Sequence, residues 1–358
     1  MSSQLESQVH TPMPRSDAWT TASSPKAQRI SALDFTKGAL VLIMVLYHWI
    51  NYFIGVQWEY YRYLRFLTPS FIFITGFMIS NVYLSKYDAG PRLSKRLFTR
   101  GLKLLAIFIA LNLARIYIVP ALGTGVVLQN IRDLRNIFTV FVSGNLQVAD
   151  GKLVSFSILV PISYLLMLSG ALIRPYRFYK YTFHVVCVFL LLSILVLGFI
   201  DVQSPNLEFI AIGMLGVLTG FMPIATINDL VRHSYMLGLA YLCYTIAITI
   251  WNVPFSLQMV GVPLSLMVIY LVGISGSDPG KMRGTVILLG KYSLFGYISQ
   301  IAILQLLAAS LRHFNFGFVL LSVSFVAAFA LTIISVEVVD RLRARVASMD
   351  RLYRAVFA

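Results

Sequence analysis

Ten apolar stretches, most of them about 20 residues long, alternate along this chain with polar connections, at about 35–54, 64–84, 97–119, 153–173, 182–200, 206–224, 234–251, 256–275, 285–308 and 316–338. A bilayer core takes about 20 residues of helix at a rise of about 1.5 Å per residue, so each stretch predicts one membrane-spanning helix. In hydrocarbon the backbone groups must be satisfied within the segment, which selects helix over open sheet. The expected fold is all-α, a polytopic membrane helical bundle of about ten transmembrane helices. Most connections are short, which favours one bundle over 29–340. Residues 1–28 are rich in Ser, Thr, Pro and Gln and lack the apolar core of a signal peptide, so they read as a disordered cytosolic tail. Residues 341–358 read as a basic cytosolic tail.

Composition agrees: 58% of residues are hydrophobic and 12% charged, against about 25% charged in soluble domains. The net charge of +15 invites a nucleic-acid reading, but its distribution points to topology. With the N-terminus in the cytosol, 22 of the 29 Lys and Arg fall on the inner side, as the positive-inside rule requires. Both termini are therefore expected in the cytosol, and no nucleic-acid partner is implied. The two cysteines, Cys187 and Cys243, each sit within an expected span and imply no disulfide framework. No short-period repeat is evident.

Two connections carry their own pattern. Over 120–152, Leu128, Ile131, Leu134, Ile137 and Phe138 recur at helical spacing around Arg132, Asp133 and Arg135, predicting an amphipathic interfacial helix that can cap an outer cavity. From Arg341 to Arg354 five arginines follow the last span, and attraction to anionic lipid together with topology control accounts for them.

Candidate chemistry is concentrated on the first helix. Lys37 and His48 are eleven residues apart, which is three turns plus about 20°, so they share one face about 16 Å apart in depth. Ionisable groups at that depth are costly and usually face a bundle interior or a polar pathway. Asp34, three residues before Lys37, shares the broad face, and Asn51 and Tyr52 sit one turn beyond His48. A neutral imidazole bonded at one nitrogen is suited to accept a proton at the other. A structural histidine bonded to a neighbouring helix, with Lys37 snorkelling at the membrane edge, satisfies the same spacing.

Two further elements are charged. Arg65 enters the second span from the outer side, followed by Thr68, Ser70, Thr75, Gly76 and Ser80, with Gly76 permitting close helix approach. Arg96, Arg100 and Lys103 recur at i, i+4 and i+7 on the cytosolic start of the third span. Such a ridge can hold phosphates. The positive-inside rule alone also predicts cations there.

The segment Arg29-Ile30-Ser31-Ala32-Leu33-Asp34-Phe35-Thr36-Lys37-Gly38 through Leu46-Tyr47-His48, followed by Phe71-Ile72-Phe73-Ile74-Thr75-Gly76-Phe77-Met78-Ile79, resembles the opening of the acyltransferase type 3 superfamily. That superfamily includes glucan succinyltransferase-like proteins and relatives of heparan-glucosaminide N-acetyltransferase. The resemblance is specific over roughly residues 29–80 and extends more weakly through the basic start of the third span and the ten-span layout. It implies a multi-pass enzyme that moves an acyl group, often acetyl, from cytosolic acyl-CoA to a hydroxyl or amine, commonly on a surface glycan. By that resemblance His48 is the essential histidine and Lys37 stands at the family arginine. Where many members have Tyr followed three residues later by His, this chain has Tyr297 and Gln300.

The expected roles follow. His48 and Asp34 form the catalytic pair, with His48 as general base or transient acyl carrier. Lys37, Arg96, Arg100 and Lys103 hold the phosphates of acyl-CoA, with acetyl-CoA the expected co-substrate and no tightly bound cofactor or metal. Arg65, Asn51, Tyr52, Tyr297 and Gln300 bind the acceptor, a glycan or lipid-linked sugar at the outer side. The expected setting is a bacterial cytoplasmic membrane, among membrane lipids, with an oligomer compatible. A transporter or flippase of a lipid-linked glycan, or a non-enzymatic polysaccharide-export partner, competes with this reading. The absence of a second charged, helix-broken half disfavours transport.

Overall fold

The computed structural model describes residues 30–55, 58–87, 89–121, 139–144, 147–148, 151–152, 155–251, 254–276, 280–311 and 317–357. The chain is helical almost throughout these residues. In order they form α1 (Ser31–Phe53), α2 (Trp58–Leu64), α3 (Leu67–Met78) continued by a π-helical turn (Ile79–Leu84), and α4 (Pro91–Ala121). A second π-helical turn (Thr139–Ser143) and a two-residue hairpin of β1 (Gln147–Val148) and β2 (Gly151–Lys152) lead to α5 (Leu159–Phe178) and α6 (Thr182–Phe199). The rest is α7 (Pro205–Thr219), α8 (Ile224–Arg232), α9 (Ser234–Trp251), α10 (Phe255–Ser275), α11 (Lys281–Lys291), α12 (Ser293–Leu311), α13 (Phe318–Arg345) and α14 (Ala347–Phe357). The amphipathic helix expected at Leu128–Phe138 lies outside the described residues.

Nine of the described helices are long and apolar enough to cross a membrane, and α7 with α8 makes a tenth candidate that is bent by 99°. The protein is an integral, multi-pass membrane protein. Many of these helices leave large apolar side chains uncovered, such as Val185, Val188, Phe189, Leu192 and Val196 on α6. A helix apolar all round suits lipid on one side and protein on the other. The ends of the bundle can be matched by contact. The backbone of Asp34, near the start of α1, lies against Gly290 of α11, and Lys291 bonds Asp340 of α13 at 2.9 Å. The start of α1 and the end of α13 therefore occupy the same end of the bundle, as an even number of crossings requires.

One expected span is displaced. The stretch 285–308 divides at Tyr292, whose N–H is shared between the carbonyls of Leu288 and Leu289, so the crossing is Ser293–Leu311 and α11 precedes it as a separate helix. Tyr292 anchors the break. It donates to Asp340 at 2.6 Å, and its hydroxyl is pushed up to about 12, first by burial and then by that carboxylate.

The contacts that fix the bundle are made by glycines. Apolar lipid gives helices no hydrophobic reason to associate, so close backbone approach supplies the packing energy. A Cβ on Gly38 would collide with the carbonyl of Val286, and one on Gly290 with the carbonyl of Asp34, which binds α1 tightly to α11. Gly76 and Gly216 do the same between α3 and α7, against Gly213 and Phe73. α4 runs antiparallel along α5, with Gly101 beside Ser163 and Gly170 beside Ser94.

The C-terminal segment is folded onto the bundle. Arg343 donates to Asp350 at 2.6 and 3.0 Å, Arg354 to the same carboxylate at 2.6 Å, and Arg341 to Glu337 at 3.2 Å. Arg343 also lies 4.1 Å above the Tyr353 ring. Three of the five arginines thus serve intramolecular pairs besides any contact with lipid. Tyr353 meets Tyr292, and Phe357 meets Phe295, so the apolar face of α14 is seated on the α11–α12 junction.

Two outcomes are expected from this packing. Gly38→Ala and Gly76→Ala should each cost about 1–3 kcal/mol by overpacking, read as a lower melting temperature in detergent, while Gly238→Ala, which meets open space, should not lower it. The hydrogen bond from Arg343 holds the Asp350 carboxyl below its usual range. Its contribution is therefore complete above the ordinary value near 3.9 and is lost only as pH falls through the lower, folded value. Asp350→Asn should raise amide exchange across 347–357 at neutral pH without changing exchange in α3 or α5.

Candidate functional site

A cavity of about 250 Å³ lies between α1, α3, α4, α5, α12 and α14. Its walls are largely apolar, from Phe71, Ile74 and Met78 on α3 and Ile158, Leu159, Ile162 and Leu166 at the start of α5. Three cations line it: Lys37 from α1 and Arg100 and Lys103 from α4. Among the described residues no acidic side chain does so. Thr75, Tyr83, Ser293 and Tyr297 supply the remaining polar groups, and Val356 and Phe357 of α14 close one side.

Helical spacing explains the convergence. Arg100 and Lys103, three apart on α4, face the same groove. Arg100 lies 5.4 Å above the Tyr83 ring. Arg96, one turn earlier, belongs to the same ridge but does not line the cavity. Its guanidinium donates to the Tyr87 hydroxyl at 2.7 Å and sits 5.0 Å over that ring.

Lys37 is held by Asp34, whose carboxylate accepts from its Nζ at 2.6 Å, and both side chains are largely buried, 17% and 6% exposed. Removing one partner of such a pair leaves an uncompensated buried charge, a loss of about 3–5 kcal/mol. This pairing revises the role expected for Asp34. It stands fourteen residues before His48, about 21 Å along the helix, and its carboxylate is engaged by the cavity lysine.

His48 does not line the cavity either. The deep wall is Tyr297, 8% exposed, whose ring packs against Phe71 at 6.1 Å and edge-on against Phe156 at 6.2 Å. Phe156 holds a left-handed backbone with φ of 61°, a conformation unfavourable for an aromatic residue and kept only where its surroundings enforce it. Tyr297 thus forms an aromatic part of the cavity wall, and His48 lies outside that lining. His48 is half-buried, with its ring 4.9 Å from that of Tyr47.

Gln300, one turn beyond Tyr297 on α12, is fully buried, and neither end of its amide has a hydrogen-bond partner among the described residues. Its depth follows from two contacts between α12 and α1: Gly296 faces Val41, and Gln305 donates to the Tyr52 hydroxyl at 3.2 Å. Interpolating between them puts Gln300 level with about Val45 to Tyr47, next to the depth of His48.

The remaining expected acceptor residues gather at the end of the bundle away from Lys37. Tyr52 bonds Gln305, which also reaches Ser155 at 3.3 Å. Asn51 lies against the Tyr47 hydroxyl, and the Tyr47 ring is 5.7 Å from Tyr61. Arg65 lies 5.7 Å from the Tyr61 ring, and its carbonyl accepts from Gln258 at 3.2 Å. The structure thus forms two clusters, a cationic cavity at one end and an aromatic, amide-rich group at the other, with Tyr297 and Gln300 between.

Tyr83, Ser293, Val356 and Phe357 were not foreseen as site residues. The signal for the last two was available, since Met349, Tyr353, Val356 and Phe357 recur at helical spacing. Among the described residues no group of three or more His, Cys, Asp or Glu could hold a metal. Compared with protein-family models, curated proteins and solved structures, the chain gives no match. The functional reading therefore rests on residues and geometry.

An orphaned buried amide costs about 1–3 kcal/mol. Gln300→Leu, close to isosteric and apolar, should raise the melting temperature of the ligand-free protein; an unchanged or lower value would mean that the amide is already satisfied.

Proposed function

We propose that this protein is an integral membrane acyltransferase that takes an acyl group, acetyl foremost, from cytosolic acyl-CoA and transfers it to a hydroxyl or amine of a glycan or lipid-linked sugar at the outer side. The observation that carries the reading is the cavity, largely apolar, with Lys37, Arg100 and Lys103 on its walls and, among the described residues, no carboxylate. Phosphates of the donor would take the cations, and the uncharged pantetheine arm the apolar walls. The end of the bundle that holds both ends of the described helices is assigned to the cytosol by the concentration of Lys and Arg there. A bacterial cytoplasmic membrane is part of the same proposal.

The chemistry needs one base. The acceptor oxygen or nitrogen attacks the thioester carbonyl carbon, its proton passes to His48, the carbon–sulfur bond breaks, and the departing thiolate recovers a proton. Imidazole is the side chain whose ordinary pKa suits this at neutral pH. For the thioester and the imidazole to meet, the donor must pass Tyr297, which lines the cavity while His48 does not. Gln300, at the depth of His48 and with a free amide, is placed to hold the acceptor across that point.

The 99° bend between α7 and α8 is the one feature that favours transport, since broken helices expose carbonyls that can hold ions. Here those carbonyls have protein partners: Ser80 donates to Val217 at 2.6 Å, and Asn81 to Gly220 at 3.2 Å. The break is internally satisfied, which weakens the transporter reading.

The test is purified protein with acetyl-CoA. Saturating donor should raise the melting temperature, by about 2.7 kcal/mol of stability at a hundred times Kd. His48→Ala should lower transfer by at least about 100-fold with the melting temperature intact, and Arg100→Ala should raise KM for the donor about 10-fold or more. Undiminished transfer by the His48→Ala protein would eliminate the assigned base.

A further inference from the structure

The wall of the cavity nearest the chain's two ends is shaped by an irregular helix. Along α3, Phe71, Thr75 and Met78 face the cavity at intervals of four and three residues. An unbroken α-helix would bring Val82 to that face next. Instead, Ile79–Leu84 is π-helical, and the extra residue makes Tyr83 the next side chain on the wall. One α-type turn follows, with the Tyr87 N–H bonded to the Tyr83 carbonyl at 2.9 Å, so Tyr87 stands behind Tyr83. Single π turns within helices are uncommon and recur at functional sites.

The result is a ladder of flat groups. The Tyr83 and Tyr87 rings are stacked, with centroids 6.5 Å apart and planes 19° apart. Arg100 lies 5.4 Å over the first ring and Arg96 5.0 Å over the second, with Lys86 5.7 Å from the second. Among the described residues, none of these three cations is paired with a carboxylate. Aromatic and guanidinium planes stack on a nucleobase, and unneutralised cations alongside hold its phosphates.

We propose that Tyr83, Tyr87, Arg96 and Arg100 form a subsite for the phosphorylated purine nucleoside end of the ligand, from which the remainder of that ligand runs past Lys103 toward Tyr297. This rests on the reading of the cavity as the acyl-CoA site and specifies which end of the donor binds where. It also gives Arg96 a place in the site although it does not line the cavity: it fixes the Tyr87 ring and faces the phosphates.

The experiment measures binding of adenosine bisphosphate, CoA and pantetheine to the full chain in detergent, for the wild type and for Tyr83→Phe, Tyr83→Leu and Arg96→Gln. Adenosine bisphosphate should bind the wild type and Tyr83→Phe alike, and at least tenfold more weakly to Tyr83→Leu and Arg96→Gln, with pantetheine affinity unchanged in all four. Tyr83→Phe keeps the ring and controls for folding. Equal affinity of adenosine bisphosphate for wild type and Tyr83→Leu, or no binding to the wild type, overturns the subsite. If CoA binds and acetyl transfer occurs but adenosine bisphosphate does not compete, the subsite is wrong and the acyltransferase reading stands. If adenosine bisphosphate binds as expected and acetyl-CoA supports no transfer, the subsite stands and that reading falls.

Discussion

A positive charge within a membrane-spanning bundle must be compensated, and the pairing of Lys37 with Asp34 at 2.6 Å is how this protein compensates one cation of its cavity. The pair fixes more than a charge. Asp34 sits where the α1 backbone meets Gly290 so closely that α11 can carry no side chain there. The position of Lys37 is therefore set by the tightest helix contact at that end of the bundle, and α11 leads directly into α12, which carries Ser293 and Tyr297 to the same cavity. A displacement at the α1–α11 contact would move the cation and the deep wall together.

The cavity has an aromatic wall at Tyr297, and His48 is not among its lining residues. Tyr297 can be such a wall because it is supported on both sides, by Phe71 and by Phe156 in a strained backbone conformation. The buried, unbonded amide of Gln300 one turn beyond is the kind of local rule-breaking expected where stability is given up for function.

Much of this architecture was legible in the sequence. Span lengths of about 20 apolar residues are a direct consequence of bilayer thickness, so an all-α, multi-pass bundle follows from the apolar pattern along the chain. The face shared by Arg100 and Lys103, and the place of Gly76 as a close-approach point, follow from helical periodicity. What could not be read were features set by tertiary contact. The break at Tyr292 depends on Asp340, forty-eight residues away. The shift that puts Tyr83 rather than Val82 on the cavity depends on a π turn, which hydrophobic spacing does not announce. The pairing of Asp34 with Lys37 was within reach of the sequence, since i, i+3 spacing puts the two on one face.

The most direct measurement of the account is an experimental structure of the purified protein with CoA bound. The account places CoA phosphate density within hydrogen-bonding reach of Arg100 or Lys103, with the pantetheine arm extending toward Tyr297. CoA bound elsewhere, or a cavity left empty at saturating CoA, would contradict it.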